Sequence, residues 1–195
     1  IDLSSSPLFS SPASDPSPPL SSYLHSFTLH SPIQPSSMRV EMVEHMEAAL
    51  REACVGVAAG DGGPFGAAIV KDGKIVAVGH NMVLVNKDPT CHAEMTAIRN
   101  ACKAMGDMSL AGCVIYTSCY PCPMCMGACL WARLDAIYYA ATSKEAADAG
   151  FDDAEFHNFL KDPKSDDLRL LEHVPVTGTI APFDMWNKKV DRIPY

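Results

Sequence analysis

The chain has 195 residues, of which 48% are hydrophobic and 19% are charged, and its formal net charge is −8. This length allows one sizeable core and demands no second domain. Binding to long nucleic acid depends on clustered cations, and no block of Lys or Arg occurs, so a nucleic-acid partner is not expected. The apolar runs are far shorter than the roughly 20 residues of a membrane span, so a soluble protein without a membrane partner is expected.

Residues 1–37 differ in composition from the rest of the chain. They are rich in Ser and Pro and contain neither Lys nor Arg. Proline removes backbone donors and the sparse apolar residues cannot build a core, so this leader is predicted to be disordered. An organellar transit peptide would carry Arg, so a cytoplasmic location is favoured over organellar targeting. The folded unit is expected to cover residues 38–195, from Met38 onward.

The first periodic segment after Met38 predicts a helix over residues 40–60, which a cluster of glycines ends. Five apolar side chains at helical spacing are expected to form its buried face: Val43, Met46, Leu50, Ala53 and Val57. Two apolar runs follow, and the dipeptide Asp72-Gly73 between them favours the positive φ of a tight turn. The pattern therefore predicts a helix followed by a β-hairpin.

The remaining segments alternate between helix and strand. Helical spacing predicts a helix over residues 91–105, with Thr90 as a candidate N-cap. A buried strand over 113–118, a second helix over 123–134 and another strand over 136–141 follow. Residues 143–160 are predicted to form a short helix, a turn and another helix. An edge strand is predicted over 168–176 and a last helix over 181–190. Strands that alternate with crossover helices indicate an α/β fold of three layers, with a mixed central sheet covered by helices on both faces.

His92 and Glu94 stand one residue apart at the start of a predicted helix, and Cys122 and Cys125 stand three residues apart at the start of another. Two cysteines at a helix start can direct both sulfurs to one metal, because the free N–H groups there stabilise thiolates. With His92 they would form three zinc ligands and leave the fourth position for water, whose pKa zinc lowers toward about 7. Glu94 would then lie beside that water and move its proton.

Each part of this pattern has a simpler interpretation. A Cys-x-x-Cys pair alone is often a redox pair or core sulfur, and a His-x-Glu pair alone predicts nothing. Four of the eight cysteines are expected in the core: Cys54, Cys102, Cys113 and Cys129. Cys91 and Cys119 lie near the predicted metal in sequence, but a fourth protein ligand would close a catalytic site. Met-rich helical surroundings without a signal peptide favour reduced thiols over disulfides.

His-x-Glu followed by Pro-Cys-x-x-Cys resembles the cytidine deaminase superfamily. The stretches GDGGPFGAAIV, NKDPTCHAEMTAIR, YTSCYPCPMC and DAGFDD resemble its guanine deaminase branch, and the resemblance runs from about Val43 to Tyr195. It implies the cytidine-deaminase-like fold and a hydrolase acting on C–N bonds of cyclic amidines, which converts guanine to xanthine and ammonia. It also implies one Zn²⁺ per chain on His92, Cys122 and Cys125, with Glu94 as the catalytic proton carrier.

The same resemblance implies a set of substrate-binding residues: Phe65, Asn81, Ala93, Trp131, Asp153 and Tyr195. Phe65 would stack on the base, although core packing is an equal alternative. Asn81 would act as donor and acceptor to the pyrimidine ring, and a simple turn residue is its alternative. Asp153 would accept an N–H of the imidazole edge, or ribose hydroxyls if the substrate is a nucleoside. Asp152 is the alternative contact for that role.

Two further features bear on substrate and assembly. Tyr120 stands where the family usually has Glu, which affects substrate preference and leaves the metal ligands intact. The resemblance also implies a homodimer that exchanges the C-terminal segment 181–195, so that Tyr195 closes the partner's pocket. Guanosine deamination is the main alternative function, and a tRNA-editing adenosine deaminase or a cytosine or cytidine deaminase is less favoured. A structural zinc or redox module would have no use for Glu94.

Overall fold

A four-stranded sheet forms the centre of the protein. The computed structural model describes residues 36–151, 153–163 and 171–193. The strands lie in the order β2-β1-β3-β4, with bounds β1 Gly66–Lys71, β2 Lys74–His80, β3 Cys113–Cys119 and β4 Ala136–Ala141. β1 pairs antiparallel with β2 and β3, and β3 pairs parallel with β4. The sheet is therefore mixed, as the alternation of elements predicts.

Seven helices occur among the described residues: α1 Ser36–Ala59, α2 Val83–Asn86, α3 Ala93–Met105, α4 Pro123–Trp131, α5 Ser143–Asp148, α6 Ala154–Lys161 and α7 Ala181–Lys188. All except the short α2 match predicted helices. The N-cap of α3 is His92 and not Thr90, whose N–H and hydroxyl both bond to an Asp88 carboxylate oxygen. No strand forms over 171–176, and residues 168–170 of the predicted edge strand lie outside the described part.

Helices cover both faces of the sheet, because successive strand residues point to opposite sides. Ala67 and Ile69 of β1 pack in one cluster with α3 and with Cys129 of α4. Ala68 and Val70 pack in a second cluster with α1. The two clusters confirm the three-layer α/β/α arrangement.

The predicted buried face of α1 is wrong in part. Three of its five side chains are exposed: Val43, Leu50 and Val57. Ala53 is buried as predicted, and Ala48 and Ala49, which were not predicted, are buried with it. A Cβ atom on Gly66 of β1 would collide with the backbone of Ala49 and Ala53, so the helix lies directly against the strand. Small side chains are needed at this contact, whereas Met46, three residues before Ala49, is partly buried and packs against the same cluster.

The β1–β2 hairpin forms as predicted. Asp72 and Gly73 have φ values of 49° and 73°, which gives the turn two consecutive left-handed residues. Of the predicted leader, residues 1–35 lie outside the described part, and Ser36 and Ser37 already belong to α1. None of the helices among the described residues is long and apolar enough to cross a membrane.

Candidate metal and active site

Two helix starts bring the predicted ligands together. His92 is the N-cap of α3 and Cys122 is the N-cap of α4, and both have extended backbone angles near φ −65° and ψ 165°: −66° and 163° for His92, −62° and 166° for Cys122. Neither side chain caps its own helix, so both are free to point at a shared ligand. Pro123 opens α4 and Cys125 follows in its first turn. A residue three positions on in a helix lies on the same face, so both sulfurs point the same way.

The distances fit a tetrahedral zinc site. The Nδ1 atom of His92 lies 3.6 Å from the Sγ of Cys122 and 3.5 Å from the Sγ of Cys125. Bond lengths of about 2.3 Å for Zn–S and about 2.0–2.1 Å for Zn–N at tetrahedral angles place such N and S atoms about 3.6 Å apart. The three ligand atoms lie within 4.8 Å of one another and form the metal-binding group found among the described residues. Three protein ligands leave the open position of a catalytic site.

The electrostatics of the three side chains favour binding of a cation. The pKa of Cys122 is lowered to about 4, because the Cys125 thiol and His92 both donate hydrogen bonds to its sulfur. The same contact raises the pKa of Cys125, whose proton is held between the two sulfurs. Hydrogen bonding to Cys122 likewise raises the pKa of His92, against the opposing effect of burial. Metal binding replaces these shared protons, as expected for a thiolate and imidazole site.

Glu94 lies in the first turn of α3, beside the ligands but outside the metal-binding group. It is only 6% exposed, and burial raises the pKa of its carboxyl. Its Oε1 accepts a hydrogen bond from the Thr117 hydroxyl at 3.0 Å, which fixes the direction of the carboxyl. A carboxyl with a raised pKa can accept a proton and return it at neutral pH. The sequence contains no signal for Thr117, because a β-branched residue is ordinary in a strand.

A cavity of about 710 Å³ opens onto this group. That volume lies within the roughly 300–1,000 Å³ of small-molecule sites. The structure brings most of the predicted site residues into its wall: Phe65, Asn81, His92, Glu94, Cys122 and Asp153. Tyr120, the residue that departs from the family pattern, also lines it. The cavity therefore combines a group that can hold a metal ion, a buried carboxyl and an apolar wall.

Asn81 presents one particular end of its amide to the cavity. Its Oδ1 accepts the backbone N–H groups of Gly63 and Val83, each at 3.2 Å. Two N–H donors identify the oxygen and occupy both of its lone pairs. The acceptor role expected toward a substrate is thus already filled within the protein, and the Nδ2 donor remains for a bound molecule.

Aromatic rings and one carboxylate complete the cavity wall. Phe65 contacts Phe151 edge to face, with ring centroids 4.9 Å apart. Tyr120 contacts Tyr139 in the same way at 5.1 Å. The Oδ2 of Asp153 lies 3.7 Å from the Nε2 of His157. Asp152, the alternative to Asp153, lies outside the described residues.

Two predicted substrate contacts do not line the cavity. Trp131 ends α4, about 12 Å along the helix axis from its first residue at 1.5 Å per residue, and it stacks with Arg133. The Ala93 side chain is fully buried in the core, because the helix turns it away from the cavity. Tyr195 lies outside the described residues.

The other cysteines divide between core and surface. Cys113 and Cys129 are buried as expected, Cys102 is half-buried, and Cys54 is exposed because it lies on the outer side of α1. Cys91 donates to Asp88, and Cys119 donates to the Thr142 carbonyl. Neither joins the metal-binding group.

Comparison with known proteins identifies this arrangement. Residues 40–141 match the family model of the cytidine and deoxycytidylate deaminase zinc-binding region. Guanine deaminase of Bacillus subtilis is 47% identical over 150 residues, which is 77% of this chain and 96% of that protein. Its X-ray structure has a TM-score of 0.76 at 46% identity, and the match covers 78% of this chain and 98% of that one.

Two other relatives match less of the chain. The tRNA-specific adenosine deaminase of Aquifex aeolicus is 41% identical over 100 residues, which is 51% of this chain and 66% of that protein. The crystal structure of a mutant protein in complex with 8-azaguanine has a TM-score of 0.55 at 32% identity, covering 57% of this chain and 66% of that one. The chain belongs to the cytidine and deoxycytidylate deaminase family and, within it, to the guanine deaminase branch.

Proposed function

We propose that this protein is a guanine deaminase that hydrolyses guanine to xanthine and ammonia with one zinc ion per chain. The observation that carries the proposal is the group of His92, Cys122 and Cys125 beside a buried carboxyl at the wall of a cavity of small-molecule size. Similarity to a guanine deaminase along 96% of that relative's length supports the choice of substrate.

The residues of this chain can carry the proton transfers of the reaction. Zinc bound to the three ligands would supply the Lewis acidity that makes water a nucleophile at neutral pH. The Glu94 carboxylate would take one proton from the attacking water and deliver it to the ring nitrogen N3. It would then carry the remaining proton of the new C2 hydroxyl to the leaving amino group, so that ammonia departs and the C2 carbonyl forms. Attack at C2 and loss of the 2-amino group convert guanine and water into xanthine and ammonia. The Thr117 hydroxyl keeps the carboxyl directed toward these atoms.

The cavity wall supplies groups to orient a purine. The Nδ2 of Asn81 would donate to a ring nitrogen or carbonyl oxygen, and the Phe65 ring would pack on the face of the base. Asp153 would accept an N–H from the imidazole edge of free guanine. A cavity of about 710 Å³ also has room for a ribose, so guanosine is the second candidate, with Asp153 accepting ribose hydroxyls. A net charge of −8 argues against a tRNA substrate.

We also propose that residues 38–195 are the deaminase domain and that two chains exchange the tail 181–195. The support is exposed apolar surface both on helix α7 of the tail and at the cavity that the tail would cover. Phe183 and Trp186 of α7 are 64% and 41% exposed, and Leu84 and Phe156 at the cavity are 66% and 49% exposed. A terminal phenol from the partner would exclude water from the cavity. Eight free cysteines support a reducing, cytoplasmic location.

The variant Glu94→Gln tests the proposed function. It is expected to keep one zinc per chain and to lose at least about 10²-fold in kcat, the usual contribution of general acid–base catalysis. Zinc content by metal analysis and ammonia release from guanine, guanosine, adenine, cytosine and cytidine are the measurements. Glu47→Gln is the matched control, because Glu47 forms only a surface ion pair with Arg51 at 3.7 Å.

The outcomes separate the proposed roles. Turnover of Glu94→Gln near the wild-type rate would contradict the proton-transfer mechanism. Loss of zinc together with activity would make Glu94 a metal ligand. Ammonia release by the wild type from guanosine and not from guanine would favour the second candidate.

A further inference from the structure

His80, the last residue of β2, lies between two carboxylates from different parts of the chain. Its Nδ1 lies 3.2 Å from the Oε2 of Glu52 on α1, and its Nε2 lies 2.9 Å from the Oδ2 of Asp61. Asp61 belongs to the loop between α1 and β1. The three side chains are largely buried, with 17%, 25% and 23% of their surface exposed for His80, Glu52 and Asp61.

The bridge uses both nitrogens of the His80 ring, one toward each carboxylate. Contacts at both nitrogens fix the orientation of the ring between α1 and the loop. A Cβ atom on Gly56 would lie 2.8 Å from the His80 ring, so the ring also packs directly on the last turns of α1. The bridge therefore holds helix, loop and strand in one arrangement.

The groups held by the bridge form one wall of the cavity. The backbone oxygen of Asp61 accepts the N–H groups of Leu84 and Val85 at 3.0 and 3.1 Å, which ties the start of α2 to the loop. Asn81 directly follows His80, and its Oδ1 accepts the N–H of Gly63 in the same loop. This wall comprises six cavity-lining residues: Gly62, Gly63, Pro64, Phe65, Asn81 and Leu84.

The metal-binding group lies on the other side of β2. Successive strand residues point to opposite faces, and Gly79 faces the first turn of α3 while His80 faces α1. A change at His80 therefore acts first on the loop and on Asn81, whereas α3, which carries Glu94, packs on the opposite face of the strand.

We propose that His80 is a positioning residue for purine binding, which acts by holding the Asp61 loop and Asn81 in place through its bridge to Glu52 and Asp61. The proposal rests on the proposed function of this same cavity. It assigns to the bridge a role in substrate affinity and none in the chemical step.

Three isosteric or near-isosteric variants test the bridge: His80→Gln, Asp61→Asn and Glu52→Gln. His80→Gln is expected to raise KM for guanine at least about tenfold while kcat changes less than about threefold and zinc stays at one per chain. The double variant His80→Gln with Glu52→Gln should cost less than the two single effects combined, because both remove the same contact. Glu47→Gln removes a surface carboxylate from the same helix and is expected to match the wild type.

Hydrogen exchange supplies a readout that does not depend on turnover. The amides of Gly63 and Val83 both donate to Asn81, so their exchange should become at least about tenfold faster in His80→Gln and stay unchanged in Glu47→Gln. An unchanged KM, or a fall in kcat without a rise in KM, would overturn the proposal. Unchanged exchange at both amides would overturn it too. If the wild type bound guanine but did not deaminate it, the proposed function would be refuted and the role of His80 in purine binding would not. The affinity for guanine would then be compared between the variants in place of KM.

Discussion

Gly79→Ala should shift α3, which carries Glu94 and begins after His92, relative to α4, which carries Cys125 and begins after Cys122. None of these metal-site residues is itself changed. A Cβ atom at Gly79 would lie 2.5 Å from the backbone nitrogen of Ala97, 2.9 Å from the Cβ of Thr96 and 3.0 Å from the carbonyl oxygen of Ala93. All three atoms belong to the first turns of α3, and two are backbone atoms that cannot rotate away. The helix itself must therefore move.

The size of this movement follows from the contact distances. Ordinary contacts of a Cβ atom begin at 3.4 Å, so relieving the approach to Ala97 shifts the start of α3 by about 1 Å. His92 and Glu94 move with α3, whereas Cys122 and Cys125 stay on α4. A misplacement of about 1 Å costs on the order of 10²-fold in rate. Overpacking of this kind also costs about 1–3 kcal/mol in the free energy of unfolding.

Gly127→Ala is the matched control. Gly127 lies within α4, and a Cβ atom there would have no neighbour within 4 Å. This variant should raise the free energy of unfolding by about 0.5–1 kcal/mol, because alanine is the better helix former. Guanine turnover, zinc affinity by competition with a chelator, and urea unfolding are the measurements. Wild-type kcat and zinc affinity in Gly79→Ala would refute the reasoning.

Two further predictions concern the metal and the C-terminal tail. Replacing any one zinc ligand by Ala should abolish zinc binding. At a free zinc concentration 100 times the Kd, this should lower the free energy of unfolding by about 2.7 kcal/mol, because the metal binds only the folded state. An unchanged melting temperature after verified removal of zinc would contradict this expectation. Deleting residues 192–195 should leave zinc binding and the fold intact but lower kcat/KM for guanine at least about tenfold, which is a loss of about 1.4 kcal/mol of transition-state stabilisation. Full activity of the truncated protein, or a monomer by light scattering at assay concentration, would show that the tail has no such role.

The metal-binding group could be predicted from the sequence because its geometry is local. Cys122 and Cys125 share one helical turn, and His92 and Glu94 share another, so spacing alone sets the direction of each pair. The hairpin turn and the helices other than α2 follow from equally local preferences for backbone angles and periodicity. These features do not depend on which other element lies opposite.

The buried face of α1 depends on the element that packs against it, and periodicity predicted this face wrongly in part. Val43 and Leu50 fit an apolar stripe, yet Gly66 approaches the helix backbone so closely that only small side chains fit at that contact. Trp131 was suggested by the family resemblance, and the length of α4 places it at the opposite end of the helix from Cys122.

Long-range polar contacts were also decided only by the tertiary structure. Thr117 meets Glu94 across 23 residues of sequence, and His80 meets Glu52 and Asp61 across 28 and 19 residues. No local pattern encodes such pairs, because each residue type is ordinary in its own element. The sequence by itself determined which chemistry the chain can perform, because each pair of functional side chains lies at the start of one helix, where the spacing in sequence sets the relative direction of the two side chains. The packing of α1, β2 and the Asp61 loop decided how the cavity wall is held, because that arrangement arises only when distant segments come into contact.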